Sequence, residues 1–213
     1  MNKNEKFVIT INREVGSGGR TIGEKLAKKL GVTFYDKAVI KGLEEKYNLD
    51  VDEIEKMRDR EYGWWAEFKR VAGIGHGLLT SSHLIAETGK EPDELTTESV
   101  FKAETEILRD IAAVESCVIA GRSGFFVFRD HPNHLRILIQ ASLPYRTERL
   151  MRKRNITEDE ARAIIEKVDR MRDKYVERYT GTSRYDFRNY DIAFTVDGKT
   201  EDEIVDQILM FIG

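Results

Sequence analysis

Five short apolar segments are spaced along the chain, and each leads into a polar turn followed by a helical pattern. They are rich in β-branched and aromatic residues, which is typical of strands buried on both faces of a parallel sheet. The segments are residues 7–11, 32–35, 117–120, 135–141 and 191–196. Their alternation with helices predicts an α/β fold of three layers, in which a mostly parallel five-stranded sheet is flanked by helices.

Apolar residues recur at helical spacing between these segments. Ile22, Leu26 and Leu30 share one helical face, and Gly31 is positioned to end that helix. A long amphipathic helix is expected to begin near Thr97 and to cross back to the third strand. Two capping boxes predict the first residues of two later helices. They are formed by Thr157 with Glu160 and by Thr200 with Glu203.

The length of 213 residues and the hydrophobic share of 40% fit a single domain with a sizeable core. We expect a core of residues 1–43, 97–142 and 185–213, a substrate-side flap at 44–96 and a basic lid region at 143–184. No apolar stretch of 18 residues occurs and the N-terminus is polar, so neither a membrane span nor a signal peptide is expected. The single cysteine, Cys117, excludes an internal disulfide and suits a reducing cytoplasm.

Charge and histidine spacing exclude two other classes of function. The formal net charge of −3 argues against a nucleic-acid-binding protein, because such domains usually carry a marked basic excess. The four histidines show no zinc-like spacing with other ligands, so we interpret them as surface residues or as buried residues with satisfied hydrogen bonds rather than as zinc ligands.

The most informative segment joins the first strand to the first helix. Gly16, Ser17, Gly18 and Gly19 stand between them. Small residues in such a turn let successive backbone N–H groups point into one concavity, and the following helix adds its dipole and free N–H groups. The segment therefore predicts a phosphate-binding loop. The alternative is an ordinary glycine-rich turn that binds nothing.

Compared with the motif G-x-x-x-x-G-K-[ST], this loop departs at two of the four defining positions. Glu14 stands at the first glycine and Arg20 at the lysine, whereas Gly19 and Thr21 match. Arg20 is expected to bring a cation to the phosphates with a wider, planar head group. The Thr21 hydroxyl is the candidate ligand for Mg²⁺.

Two charged residues follow later strands, at the end where ligands bind in open α/β sheets. Asp36 follows the second strand and can hydrogen-bond a nucleoside or a Mg²⁺-bound water, although it is an equally acceptable helix N-cap. Arg122 stands between Gly121 and Ser123-Gly124 after the third strand, where it is well placed to bind a phosphate bidentately. Its alternative role is a structural ion pair.

The segment from Ser142 to Arg184 carries 12 Lys/Arg and 8 Asp/Glu, a local excess of four positive charges. Arg146 and Arg149 lie three residues apart, so they share a helical face and are candidates to close over a polyphosphate. A solvated basic helix is the alternative. The position directly after a strand favours a lid.

Taken together, these segments resemble the cytidylate kinase-like proteins of the nucleoside-monophosphate kinase group of P-loop kinases. The stretches that carry the resemblance are INREVGSGGRTIGEKLA, GVTFYDKAVI, VIAGRSG, and DRMRDKYVERYTG followed by YDIAFTV. The resemblance implies a P-loop kinase fold with a monophosphate-binding flap and a lid. It also implies ATP with Mg²⁺ as phosphoryl donor and a nucleoside monophosphate as acceptor, CMP being the first candidate.

Carried onto this chain, the resemblance implies that residues 16–21 wrap the ATP phosphates and that Asp36 and Arg122 face the acceptor. Lid arginines around the transferred group are drawn from Arg146, Arg149, Arg170 and Arg178. Two alternatives stay open. One is a small-metabolite kinase on the same fold, and the other, because Arg20 stands where lysine is usual, is a nucleotide-binding regulator with little turnover.

Overall fold

The computed structural model describes residues 1–36 and 98–213, without the side chains of residues 98–100 and 103. The predicted flap at 44–96 lies outside these residues. The chain forms two compact units, one of Met1–Tyr35 with Ser116–Gly213 and one of Asp36–Glu115. The sheet and the glycine-rich loop belong to the first unit.

Five strands form one sheet in the order β2, β3, β1, β4, β5, and every pairing between them is parallel. The strands are β1 (Val8–Arg13), β2 (Thr33–Tyr35), β3 (Cys117–Ala120), β4 (His134–Gln140) and β5 (Ile192–Thr195). The central strand β1 pairs with β3 on one side and β4 on the other, so the residues that follow it emerge at the middle of the carboxyl edge.

Six α-helices occur in the described residues, together with a 3-10 turn at Phe187–Asn189. They are α1 (Gly19–Leu30), α2 (Glu98–Val114), α3 (Gly124–Val127), α4 (Leu143–Arg154), α5 (Glu158–Thr180) and α6 (Glu201–Ile212). Helix α2 belongs to the second unit. Helices α4 and α5 form a hairpin that covers most of the predicted lid region.

The main core lies between the sheet and the helix pair α1 and α6. Ile9 and Ile11 of β1 pack with Ile22 and Leu26 of α1 and with Ile208 of α6, and all five side chains are fully buried. Burying an aliphatic side chain of this size contributes about 1.5–3 kcal/mol. This core fixes α1 against β1 and so fixes the loop that joins them.

The α4–α5 hairpin has a small core of its own. Leu150, Ala161 and Ile165 form it, and Val15 of the loop packs against it. The loop is therefore held by the sheet on one side and by this hairpin on the other.

The structure confirms the α/β fold class, the five strands and both capping boxes, with strand ends shifted by one or two residues. β1 extends two residues further than predicted, to Arg13, because Asn12 and Arg13 continue the pairing with β4. Within the described residues, no helix has the length and apolar character needed to cross a membrane.

Candidate functional site

The loop between β1 and α1 turns through two glycines in the left-handed region. Gly16 has φ 84° and Gly18 has φ 83°, a conformation that costs other residues about 1–2 kcal/mol. A Cβ on Gly16 would in addition lie 2.7 Å from the carbonyl oxygen of Arg146. The backbone path of the loop therefore requires glycine at these positions.

Helix α1 begins directly behind the loop. Its N-cap is Gly18, which offers no side-chain acceptor, and its first turn contains no acidic residue. The first N–H groups of the helix and its dipole thus favour an anion at this point, and phosphate is the usual one.

The other small residues of the loop shape it. The Ser17 hydroxyl donates to the Glu14 carbonyl at 2.9 Å, and its side chain is buried. Gly19 is the first residue of α1, and a Cβ there would lie 2.6 Å from Cβ of Arg13. The loop is therefore compact, with no room for a side chain on its inner face.

Arg20 and Thr21 lie in the first turn of α1. The Arg20 guanidinium is 3.0 Å from the Glu24 carboxylate, one helical turn further from the loop, and the Arg20 side chain is 37% exposed. For Arg20 to contact the phosphates as predicted, its ion pair with Glu24 must open. Thr21 is half-buried.

Glu14, which stands where the motif has its first glycine, fastens the loop to its surroundings. One carboxylate oxygen accepts from the N–H of Ala141 at 3.0 Å and lies 3.7 Å from Nε of Arg146. The other accepts from the Tyr185 hydroxyl at 3.3 Å. Burial raises the pKa of Tyr185 to about 12, against the lowering effect of the neighbouring Arg184, so this hydroxyl stays a donor well above neutral pH.

A second set of buried charges holds the loop from the α5 side. Asp169 accepts from the N–H of Val15 at 3.1 Å and pairs with Arg146 at 2.5 Å and Arg184 at 3.1 Å. Arg184 is 2% exposed and also binds Asp173. Since an unpaired charge at such depth is costly, this network gives the loop a defined position.

The structure brings two of the four predicted lid arginines to the loop. Arg146 lies beside Gly16, and the guanidinium of Arg149 lies 3.2 Å from where a Cβ on Gly18 would be, while pairing with Glu201 at 2.7 Å. Arg170 pairs with Glu166 on the exposed surface of α5, and Arg178 lies over the ring of Tyr179 at 5.6 Å.

A cavity of about 590 Å³ opens between α4, α5 and Tyr185. Both basic and acidic side chains line it, including Arg146, Arg162, Arg170, Asp169 and Glu166. Arg170 thus shares a cavity with Arg146 although it does not adjoin the loop glycines.

The turn after β3 carries the predicted acceptor residue Arg122. Gly121, Arg122 and Ser123 all have positive φ, at 85°, 55° and 50°. Ser123 is buried, and its hydroxyl has no hydrogen-bond partner among the described residues. The other predicted acceptor residue, Asp36, directly follows β2 and is 5% exposed.

Four residues of this site were not identified from the sequence: Arg13, Glu14 as a fastening residue, Asp169 and Arg184. Arg13 is a charged residue at the C-terminal end of a predicted strand, as Asp36 and Arg122 are, so the same criterion applied to β1 identifies it. Asp169 and Arg184 carry no local signal, because their partners lie on other elements. Within the described ranges, no cluster of three or more His, Cys, Asp or Glu suited to a metal ion occurs.

Comparison with solved structures supports the fold. A protein of unknown function from Eubacterium ventriosum ATCC 27560 superposes with a TM-score of 0.67 at 24% identity, over 97% of this chain and 98% of its own. A shikimate kinase from Bacteroides thetaiotaomicron superposes with a TM-score of 0.51 at 15% identity, again over 97% and 98% of the two chains. At these identities the likeness concerns the fold.

Comparison with curated proteins finds no match. The cytidylate kinase-like family, in contrast, matches residues 8–197, which include the whole sheet, the loop and the α4–α5 hairpin. This match covers most of the chain and supports a small-molecule kinase on this fold. The chain therefore belongs to the cytidylate kinase-like family.

Proposed function

We propose that the protein transfers the γ-phosphoryl group of ATP to a nucleoside monophosphate, with CMP as the first candidate acceptor. The observation that carries this proposal is the uncapped N-terminus of α1 behind two left-handed glycines, Gly16 and Gly18. Such a loop suits a polyphosphate, and the chain belongs to a kinase family.

On the donor side, residues 16–21 bind the phosphates of ATP. The backbone N–H groups of the loop and of the first turn of α1 supply the hydrogen bonds. The Thr21 hydroxyl, in that first turn, fits the role of a Mg²⁺ ligand. When bound, Mg²⁺ neutralises charge on the phosphates that leave with ADP.

Cations around the transferred group come from the α4–α5 hairpin. Arg146 and Arg149 adjoin the loop glycines, and this proximity supports a role in transfer. Arg170, Arg178 and Arg20 remain predictions, since each is paired or stacked elsewhere on its own helix.

On the acceptor side, Arg122 binds the monophosphate and Asp36 binds the nucleoside. Transfer breaks the bond between the γ-phosphorus and the oxygen that leaves with ADP, and it forms one bond to an acceptor phosphate oxygen. That oxygen is already deprotonated at neutral pH, because the second pKa of a phosphate monoester is about 6. Alignment and charge neutralisation then suffice, and no general base is needed.

The test is coupled ADP release with Mg²⁺, ATP and each of CMP, UMP, AMP and GMP, after ATP binding has been established by thermal shift. We expect turnover with at least one monophosphate, and first with CMP. At a concentration of ATP about 100 times its Kd, binding should stabilise the fold by about 2.7 kcal/mol. If ATP binds and all four acceptors fail, the monophosphate assignment is wrong. Turnover of an alcohol acceptor would then indicate a small-metabolite kinase. ATP binding without turnover of any acceptor would indicate a nucleotide-binding regulator.

A further inference from the structure

Arg13 is the last residue of β1, and its backbone is held in place. Its carbonyl oxygen accepts from Nη1 of Arg172 at 3.0 Å and from Nη1 of Arg184 at 3.2 Å. Arg184 is itself almost fully buried. These two hydrogen bonds hold the backbone of the residue from which the Arg13 side chain leaves the strand.

The Arg13 side chain runs from the start of α1 to the end of β3. A Cβ on Gly19 would meet Cβ and Cγ of Arg13 at 2.6 and 3.1 Å. A Cβ on Gly121 would overlap Nη1 of Arg13 and lie 3.1 Å from its Cζ. The stem of Arg13 thus packs on the first residue of α1, while its guanidinium lies against the turn that carries Arg122.

Neither residue 19 nor residue 20 places a side chain between the start of α1 and the β3 turn. Gly19 has no side chain, and the guanidinium of Arg20 lies beside Glu24, one turn further along α1 from the loop. Arg13 therefore directs a cation to the region between the N-terminus of α1 and the β3 turn. Under the proposed function, this region separates the donor phosphates from the acceptor phosphate.

We propose that Arg13 is the catalytic cation of the phosphate loop, taking the part that lysine plays in the common motif. This inference rests on the proposed kinase function. A guanidinium forms two parallel hydrogen bonds with phosphoryl oxygens, so Arg13 suits a group that passes between two phosphates. The inference also gives a reason for glycine at positions 19 and 121, since a side chain at either would displace Arg13.

Arg13→Gln tests the inference through turnover with ATP, Mg²⁺ and the best acceptor. Because it removes a charge that acts on the transferred group, kcat should fall about 10²–10³-fold. Arg13→Lys, which keeps the charge, should recover at least tenfold of that loss. The matched control is Arg188→Gln, since Arg188 is 79% exposed and pairs with Asp186 on the surface. This control should retain full activity.

The competing assignment is tested by Arg20→Gln. We expect its loss of kcat to be at least tenfold smaller than that of Arg13→Gln. The opposite order, in variants that unfold at the wild-type temperature, would overturn the inference and return the role to Arg20.

A binding measurement keeps the test independent of the acceptor. Calorimetric titration with ATP and ADP gives the preference for the nucleotide that carries the γ-phosphate, and Arg13→Gln should reduce this preference about tenfold. If the wild type binds ATP but turns over no monophosphate, the proposed function fails while this readout still decides on Arg13. An unchanged ATP preference in Arg13→Gln, or a wild type that does not bind ATP, would overturn the inference.

Discussion

The turn after β3 holds two non-glycine residues, Arg122 and Ser123, in the left-handed region. Each costs about 1–2 kcal/mol, and such strain persists only where the surroundings impose it. The Ser123 hydroxyl is also buried without a hydrogen-bond partner among the described residues. Backbone strain beside an unsatisfied hydroxyl is expected of a turn that binds a ligand, as proposed above for Arg122.

Arg122→Ala tests this at the level of one residue. If Arg122 binds the acceptor phosphate, the variant should lose about 10²-fold in kcat/KM for the monophosphate, the equivalent of roughly 2–3 kcal/mol of charge-assisted hydrogen bonding. ATP affinity should change little. Steady-state kinetics with each substrate varied in turn measures both.

Arg129→Ala is the matched control for Arg122→Ala, because Arg129 is a half-exposed arginine that pairs with Asp130 on the surface. Its kinetics should equal those of the wild type. Equal losses for both substrates in Arg122→Ala would indicate damage to the fold or the loop rather than loss of an acceptor contact.

At the scale of elements, the loop depends on the α4–α5 hairpin as much as on β1 and α1. Val15 packs on the small core of the hairpin, and Asp169 of α5 accepts from the N–H of Val15. The Arg146 carbonyl approaches Gly16 so closely that a methyl group does not fit. The region predicted as a lid therefore supplies one wall of the loop in this structure.

Gly16→Ala and Gly31→Ala form a matched pair that separates backbone strain from this wall. Both glycines have positive φ, 84° and 68°, but a Cβ on Gly31 meets nothing within 4 Å. Each substitution should therefore lower the free energy of unfolding by about 1 kcal/mol through strain. Gly16→Ala alone must also displace the Arg146 backbone, so ATP affinity should fall at least tenfold, whereas Gly31→Ala should bind ATP as the wild type does.

Urea unfolding and calorimetric titration with ATP and Mg²⁺ measure the two quantities for this pair. An ATP affinity that is unchanged in Gly16→Ala would show that the loop tolerates a shifted backbone. Loss of affinity in Gly31→Ala would show that strain anywhere on α1 reaches the loop.

The elements themselves were predictable because their signals are local. Cys117–Ala120 is a continuous apolar run in the sequence and is β3 in the structure. Thr157 and Glu160 are three residues apart and form the predicted capping box. The predicted end of β1 lies two residues too early, because Asn12 and Arg13 are polar and only their pairing with β4 keeps them in the strand.

At the scale of the whole molecule, the partners of the charged side chains were not predictable. Glu14 and Tyr185 are separated by 171 residues, and Val15 and Asp169 by 154. Arg146 and Arg149 were identified as basic residues after a strand, but their partners, Asp169 and Glu201, lie on other helices. Residue type thus predicted a phosphate-binding loop, and the fold determined which charged side chains adjoin that loop.

His134 links the sheet to α3 and makes the stability of the fold depend on pH. Its Nδ1 lies 2.9 Å from the carbonyl oxygen of Phe128, which can only accept, so Nδ1 carries the proton. Its Nε2 then accepts from the Thr10 hydroxyl at 2.8 Å. The pKa of His134 is lowered to about 4. Burial is the largest cause, Arg136 and His131 act in the same direction, and the Phe128 carbonyl and Asp191 oppose it.

Protonation of His134 should therefore weaken the fold as the pH falls. The unfolded chain binds this proton near pH 6.5 and the folded chain near pH 4, so stability is fully present above about pH 6.5 and is lost as the pH falls toward 4. Between about pH 7.5 and pH 5 the loss attributable to His134 should be about 2 kcal/mol. Asp191 does not contribute in this window, because its pKa is lowered from 3.8.

Urea unfolding of the wild type and of His134→Asn, whose amide can still donate to the Phe128 carbonyl, measures the difference. The variant should be less stable at pH 7.5 but show the shallower slope, whereas His131→Asn should keep most of the wild-type slope. Parallel slopes for the wild type and His134→Asn would show that His134 is not the group that titrates.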